Sequence, residues 1–250
     1  MKDTLYQYLL LLGDNSLILG HRLSELCGHG PSLETDIALT NHSLDLYGQV
    51  RSYFQYAAEL KGEGATEDSV AFLRLEHEYR NVQLVEQPNT DFAYVIGRQF
   101  LWDAYHLPLM RHLMNSQDER LAAIATKSEK EASYHLRFSS EWVKRLGDGT
   151  EESRERMQKA MDDLYRYGHE LFKASPEELA MEESGIGASL DALEAEWNDT
   201  VQEVLSEAGI SIPDSPPAMA RGKEGIHTEH MGYMLAQLQY MQRAYPSMEW

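Results

Sequence analysis

Residues 34–61 read ETDIALTNHSLDLYGQVRSYFQYAAELK. Ile37, Leu44, Tyr47, Val50, Phe54 and Ala58 fall at the three-to-four-residue period that gathers side chains on one broad helix face. No proline interrupts the run, and Gly62-Glu63-Gly64 follows it as a stop. The stretch predicts a long helix whose apolar face other helices must cover. In its middle stands Asp45-Leu46-Tyr47-Gly48, an acid three residues ahead of a glycine on the same side.

Three more acids fall into step with Asp45. Asp14 lies 31 positions before it; Glu131 opens Glu131-Ala132-Ser133-Tyr134, and Asp103 lies 28 positions before Glu131. A di-iron four-helix bundle takes one carboxylate from each of two helices and Glu-x-x-His from each of the other two. The spacing matters because residues three or four apart share a helix face and reach one metal, and nitrogen and oxygen ligands suit iron or manganese. Here the third position holds Gly48 and Tyr134 in place of histidine. Glycine offers no ligand, and a phenol is a poor one in such a centre. His135, one residue later, leans toward the same face, but one imidazole alone makes a lopsided site.

The expectation is a scaffold that has lost its metal. Asp14, Asp45, Gly48, Asp103, Glu131, Tyr134 and His135 mark the relic, with no metal ligand, catalytic residue or cofactor-binding residue assigned. Two alternatives stand beside it: a di-metal oxidase using Asp14, Asp45, Asp103, Glu131 and His135, or a surface position for some of the acids. Buried acids without metal need counter-charges. Arg22, Arg51, Arg98 and Arg137 lie within about two turns of these positions and are candidates.

Outward from these acids the chain reads as helices with Gly/Pro/Asn punctuation. The expected helices are Thr4–Cys27, stopped by Gly28-His29-Gly30-Pro31; Glu34–Lys61; a shorter one, Ser69–Arg80; Asp91–Asn115, capped by Asn89 or Thr90 and kinked at Pro108; and about Gln117–Leu146. Glu151–Ala174, Pro176–Glu183, Leu190–Ala208 and about Thr228–Ala244 follow, with an irregular stretch at Ser211–Gly225. The fold class is all-α: one helical domain, residues 1–250, with a core bundle over about 4–146 and additional helices over about 151–250.

With 22 Lys and Arg against 41 Asp and Glu, the formal net charge is −19. That speaks against nonspecific binding to nucleic acid or anionic membrane, which needs a basic surface. A basic protein partner remains compatible with it. The lone cysteine, Cys27, forms no internal disulfide and fits a reducing cytoplasm; a small core or helix-end position is expected for it. The apolar run Tyr8–Leu12 is too short for a signal peptide, and no apolar run approaches the ~20 residues of a membrane span.

Other patterns carry less. Glycine-rich phosphate loops, Gly-x-Ser-x-Gly and His-Glu-x-x-His are missing from the sequence. Glu224-Gly225-Ile226-His227 is a literal Glu-x-x-His, but it follows prolines and contains a glycine, so a ligand-bearing helix is not expected there. His106, three residues after Asp103, reads as packing or hydrogen bonding. Arg221-Gly222-Lys223 reads as a solvated loop, with contact to a phosphate or an acidic partner as the alternative. The aromatics from Tyr47 to Tyr105 read mostly as core, some of them as an interface patch. Met231, Met234, Leu235, Leu238, Met241 and Tyr245 form an adaptable apolar stripe.

The stretches LGDNSLILGHRLSELCGHGP, DIALTNHSLDLYGQVR, LVEQPNTDFA, KEASYHLRFSSEWVKRLGDGT and GIHTEHMGYMLAQLQYMQRAYP together span nearly the whole chain. On them the sequence resembles the C-subunit family of the ring-1,2-phenylacetyl-CoA epoxidases, bacterial multicomponent monooxygenases. The resemblance implies a ferritin-like four-helix bundle and a non-catalytic structural subunit. It implies, as partners, a catalytic A subunit and other epoxidase components, including a reductase. The implied cofactors lie outside this chain: a di-iron centre in the A subunit, and NADPH, flavin and an iron–sulfur cluster with the reductase. The implied reaction, carried out by the A subunit, is epoxidation of the ring of phenylacetyl-CoA in cytoplasmic, aerobic phenylacetate catabolism. The departures at Gly48 and Tyr134 agree with a supporting role.

Overall fold

A computed structural model describes residues 1–246 and residue 248, and among them it is all-α, without a strand. In chain order the helices are α1 (Lys2–Ser24), α2 (Leu33–Lys61), α3 (Glu67–Phe72), α4 (Phe92–Leu113), α5 (Glu119–Gly147), α6 (Glu151–Gly168), α7 (Pro176–Glu183), α8 (Leu190–Glu207), α9 (Glu229–Leu238) and α10 (Tyr240–Ala244). They divide into two compact units: Met1–Glu86 with the segment from Ala220 onward, and Gln87–Met219.

In the first unit α1 and α2 form a long hairpin. Leu9, Ile18, Leu19 and Leu23 of α1 and Leu46 and Phe54 of α2 are fully buried, each worth about 1.5–3 kcal/mol of burial. The Phe54 ring lies against Gly13, where a Cβ would collide with it. Ser32 starts α2 by accepting a hydrogen bond from the Thr35 N–H at 3.3 Å. Gly62 ends it at φ +74°, a conformation glycine adopts without penalty.

The apolar face of α2 differs from the expected one. Leu39, Leu46, Val50, Tyr53 and Phe54 are buried, whereas Ile37 and Leu44 are exposed to 50% and 61%. The expected helix over 69–80 is also replaced. α3 stops at Phe72, and only a 3₁₀ turn, Glu76–Glu78, follows. Arg74 lies between them with its side chain turned into the unit.

In the second unit α4 packs against α5, α6 and α8. It is buried along nearly its whole length from Ala93 to Met110, and it runs on through Pro108. Asp91, rather than Asn89 or Thr90, caps it, accepting from the Tyr94 N–H at 2.8 Å. α5 is amphipathic, burying Leu121, Ala125, Ser128, Ala132, His135, Ser139 and Val143, a seam at three- and four-residue steps. Trp197 of α8 donates its indole N–H to the Leu101 carbonyl at 2.9 Å, which fixes α8 on α4.

Candidate functional site

The acids at the middle of the helices fall in both units. In the first unit Asp14 sits mid-α1 with no exposed surface. Its carboxylate receives both terminal nitrogens of Arg74, one at 2.8 Å, in a forked ion pair. The Arg80 backbone N–H donates a further bond at 2.8 Å. Arg74 is held in turn: Nε donates to the Val70 carbonyl at 2.6 Å, Nη1 to the Glu78 carbonyl at 3.1 Å, and the guanidinium lies 4.2 Å from the Tyr79 ring centre. Burial works against the charge on Arg74, and Asp14 outweighs it, so its pKa is raised. Burial pushes the Tyr79 phenol up to about 12; its O–H donates to the Ala71 carbonyl at 2.7 Å.

Arg74 is therefore the counter-charge of Asp14, from 60 residues away in sequence. The arginines singled out by proximity have other roles. Arg22 donates to the Glu86 carbonyl at 3.0 and 2.7 Å and pairs with Glu25 at 3.0 Å. Arg98 donates to the Gln87 carbonyl and, at 2.8 Å, to Asn89. Arg51 lies 3.8 Å from Glu67, and Arg137 stands 5.7 Å from the Tyr134 ring centre.

A second buried acid of the same unit is Glu86, in a stretch whose proline and asparagine mark a turn. One of its oxygens meets His227 Nδ1 at 2.6 Å and the Asn81 amide N–H at 2.8 Å. The other accepts from the Thr228 N–H at 2.7 Å and hydroxyl at 2.6 Å. Burial pulls the His227 pKa down, and the Glu86 carboxylate overcomes it, leaving it raised. Within the Glu-x-x-His motif the two residues have separate partners, since Glu224 pairs with Arg221 at 2.6 Å. Gly222 presses against the Asn81 backbone, and Lys223 is buried. The expected basic loop is in fact a packed turn that anchors the C-terminal segment.

Asp45 is half-buried and Gly48 exposed, with open space where a Cβ would stand. Cys27 lies exposed in the turn after α1.

In the second unit Asp103 is buried, and its hydrogen-bond partners are neutral side chains. Gln99 donates to one oxygen and Ser139 to the other, each at 2.8 Å. Burial raises its pKa to about 7, opposed by His135 and by these two bonds. His106, stacked on Trp102 at 5.3 Å, is held down to about 3 by burial and then by His135. His135 is fully buried, Glu131 half-buried, and the Tyr134 ring 43% exposed.

Arg74 takes both carboxylate oxygens of Asp14, Gly48 brings no ligand atom, and Tyr134 lies at the surface. These residues do not suit a pair of metal ions. Among the described residues, no group of three or more His, Cys, Asp or Glu is placed to hold one. No described helix is long and apolar enough to cross a membrane.

The whole length, residues 1–250, matches the family model described as phenylacetic acid catabolic protein. The chain is 49% identical, over 248 residues, to the C subunit of the 1,2-phenylacetyl-CoA epoxidase of Escherichia coli strain K12, covering 99% of this chain and 100% of that one. The helices described above agree with the ferritin-like, all-α class of that family. Matched over its full length and near half identical to a curated member, this chain belongs to the phenylacetic acid catabolic protein family.

Proposed function

We propose that this chain is the non-catalytic structural subunit of a multicomponent phenylacetyl-CoA epoxidase, and that it binds and stabilises the catalytic A subunit. The observation that carries the reading is the Arg74–Asp14 ion pair. A guanidinium supplies in cis the positive charge that a metal supplies in a di-iron bundle, so the acid is retained while the ligand function is lost. The identity to the C subunit of the Escherichia coli epoxidase supports membership of such an assembly. The di-iron centre belongs to the A subunit; NADPH, flavin and the iron–sulfur cluster belong to the reductase; and the complex works in the cytoplasm.

The test is reconstitution. The chain alone turns over no phenylacetyl-CoA with reductase, NADPH and oxygen. The same chain added to the A subunit gives a complex on size exclusion and epoxide by mass spectrometry. Turnover by this chain alone, or two separate peaks on the column, would overturn the proposal.

A further inference from the structure

The outward face of α2 is unusual for a helix packed in a hairpin. Leu33, Ile37 and Leu44 are exposed to 72%, 50% and 61%. With Gly48 and Arg51 they follow separations of three, four or seven residues, which lays them in one stripe along the helix. Gly48 flattens that stripe, since nothing stands within 4 Å of the Cβ it lacks. At its C-terminal end the stripe runs into an open cleft of about 500 Å³, floored by Leu17, Val50, Phe54 and Leu238 and rimmed by Glu67 and Asp68. A buried helix face would carry such residues; an ordinary solvent face would carry charges.

We propose that this stripe and cleft are the surface on which a helix of the catalytic A subunit docks, presenting an apolar stripe flanked by basic side chains. The inference rests on the partnership proposed above and adds its location and chemistry. Charge selects the occupant. Glu34 flanks the stripe near its start, and Glu67 and Asp68 rim the cleft. Against them stands Arg51, itself 3.8 Å from Glu67. Two copies of this face would bring the acids together, in a chain of net charge −19, so self-association is disfavoured and a basic-flanked helix fits. The same acids turn away an anionic thioester such as a CoA ester. Size agrees: Leu33 to Arg51 runs about 27 Å along the axis, a contact that one partner helix spans. A single helix pair falls short of the ~800 Å² per partner of a standard interface. The cleft adds the pocket into which a large partner side chain anchors, the usual form of an interface hot spot.

The test uses the full chain and the purified A subunit. Ile37→Lys with Leu44→Lys changes side chains that are already half or more exposed, so the melting temperature of the free chain stays within a few degrees. Affinity for the A subunit by biolayer interferometry falls at least 100-fold. Glu67→Lys with Asp68→Lys weakens it about tenfold and flattens its salt dependence. Met219→Lys, a control at an exposed methionine outside the stripe, binds like the native chain. Native-like binding by the Ile37/Leu44 variant, with the complex intact, overturns the location and leaves the partnership standing. Failure of the native chain to bind the A subunit overturns both.

Discussion

Asp14 and Asp103 are both acids buried at the middle of a long helix, and the two units treat them differently. Asp14 is met by a guanidinium and a backbone N–H. Asp103 is met by an amide and a hydroxyl, and burial lifts its pKa to about 7. One acid is matched by a partner of opposite sign; the other, without such a hydrogen-bond partner, tends to take up a proton. A helical core can thus accommodate a buried carboxylate with a counter-charge or with neutral donors, and the two arrangements leave different marks on stability.

The largest mark belongs to Arg74. Arg74→Met strands the Asp14 carboxylate in the core and costs about 3–5 kcal/mol in urea unfolding. Adding Asp14→Leu removes the stranded charge and recovers most of that loss, a coupling that a double-mutant cycle reads directly. Equal losses in the single and double variants would mean that packing on Tyr79, and not the ion pair, holds this region.

Asp103 leaves its mark in the pH dependence. With its folded pKa near 7 against an ordinary 3.8, it binds its proton more tightly when folded. Its contribution to stability therefore falls as pH rises from about 4 to about 7. His106, held near 3 against 6.5, does the reverse: its contribution is present above pH 6.5 and is lost as pH falls toward 3. The two slopes oppose each other between about pH 4 and 6.5. Asp103→Asn leaves the histidine slope alone, so the variant loses up to about 1.4 kcal/mol more stability per pH unit on acidification through that window. Above pH 7 the variant is the more stable protein. Urea midpoints at a series of pH values check both statements.

His227 is the counter-charge case on a smaller scale. His227→Leu costs about 1–3 kcal/mol at pH 6, with Glu86 keeping its other donors. Because the His227 pKa is raised above 6.5, the ionic part of the contribution is complete below 6.5 and fades as pH rises through the folded value. The gap between native and variant melting temperatures narrows above that pH. The smallest effect is at Gly48: with open space beyond its Cα, Gly48→Ala stabilises the free chain by about 0.5–1 kcal/mol.

The long helices were legible in the sequence because their periods and stop signals agree; Gly62 ends α2 where expected, and Pro176 and Glu183 bound α7 as read. The polar interior was less legible. Arg74 lies 60 residues from Asp14 and Glu86 lies 141 from His227, and periodicity carries no information about pairs that meet through the fold. The helix expected over 69–80 gives way because Arg74 turns inward to an acid on α1, a tertiary demand that local propensity does not express. Ile37 and Leu44 misled for a related reason. Apolar spacing shows that a face seeks cover, and it does not say whether the cover comes from the same chain.

The most direct measurement is the metal content of the purified full-length chain, expressed alone in iron-replete medium and measured by plasma mass spectrometry beside its optical spectrum with and without oxygen. The account predicts well under ~0.1 iron per chain and a spectrum indifferent to oxygen. About two irons per chain, with an oxygen-dependent optical change, would contradict it.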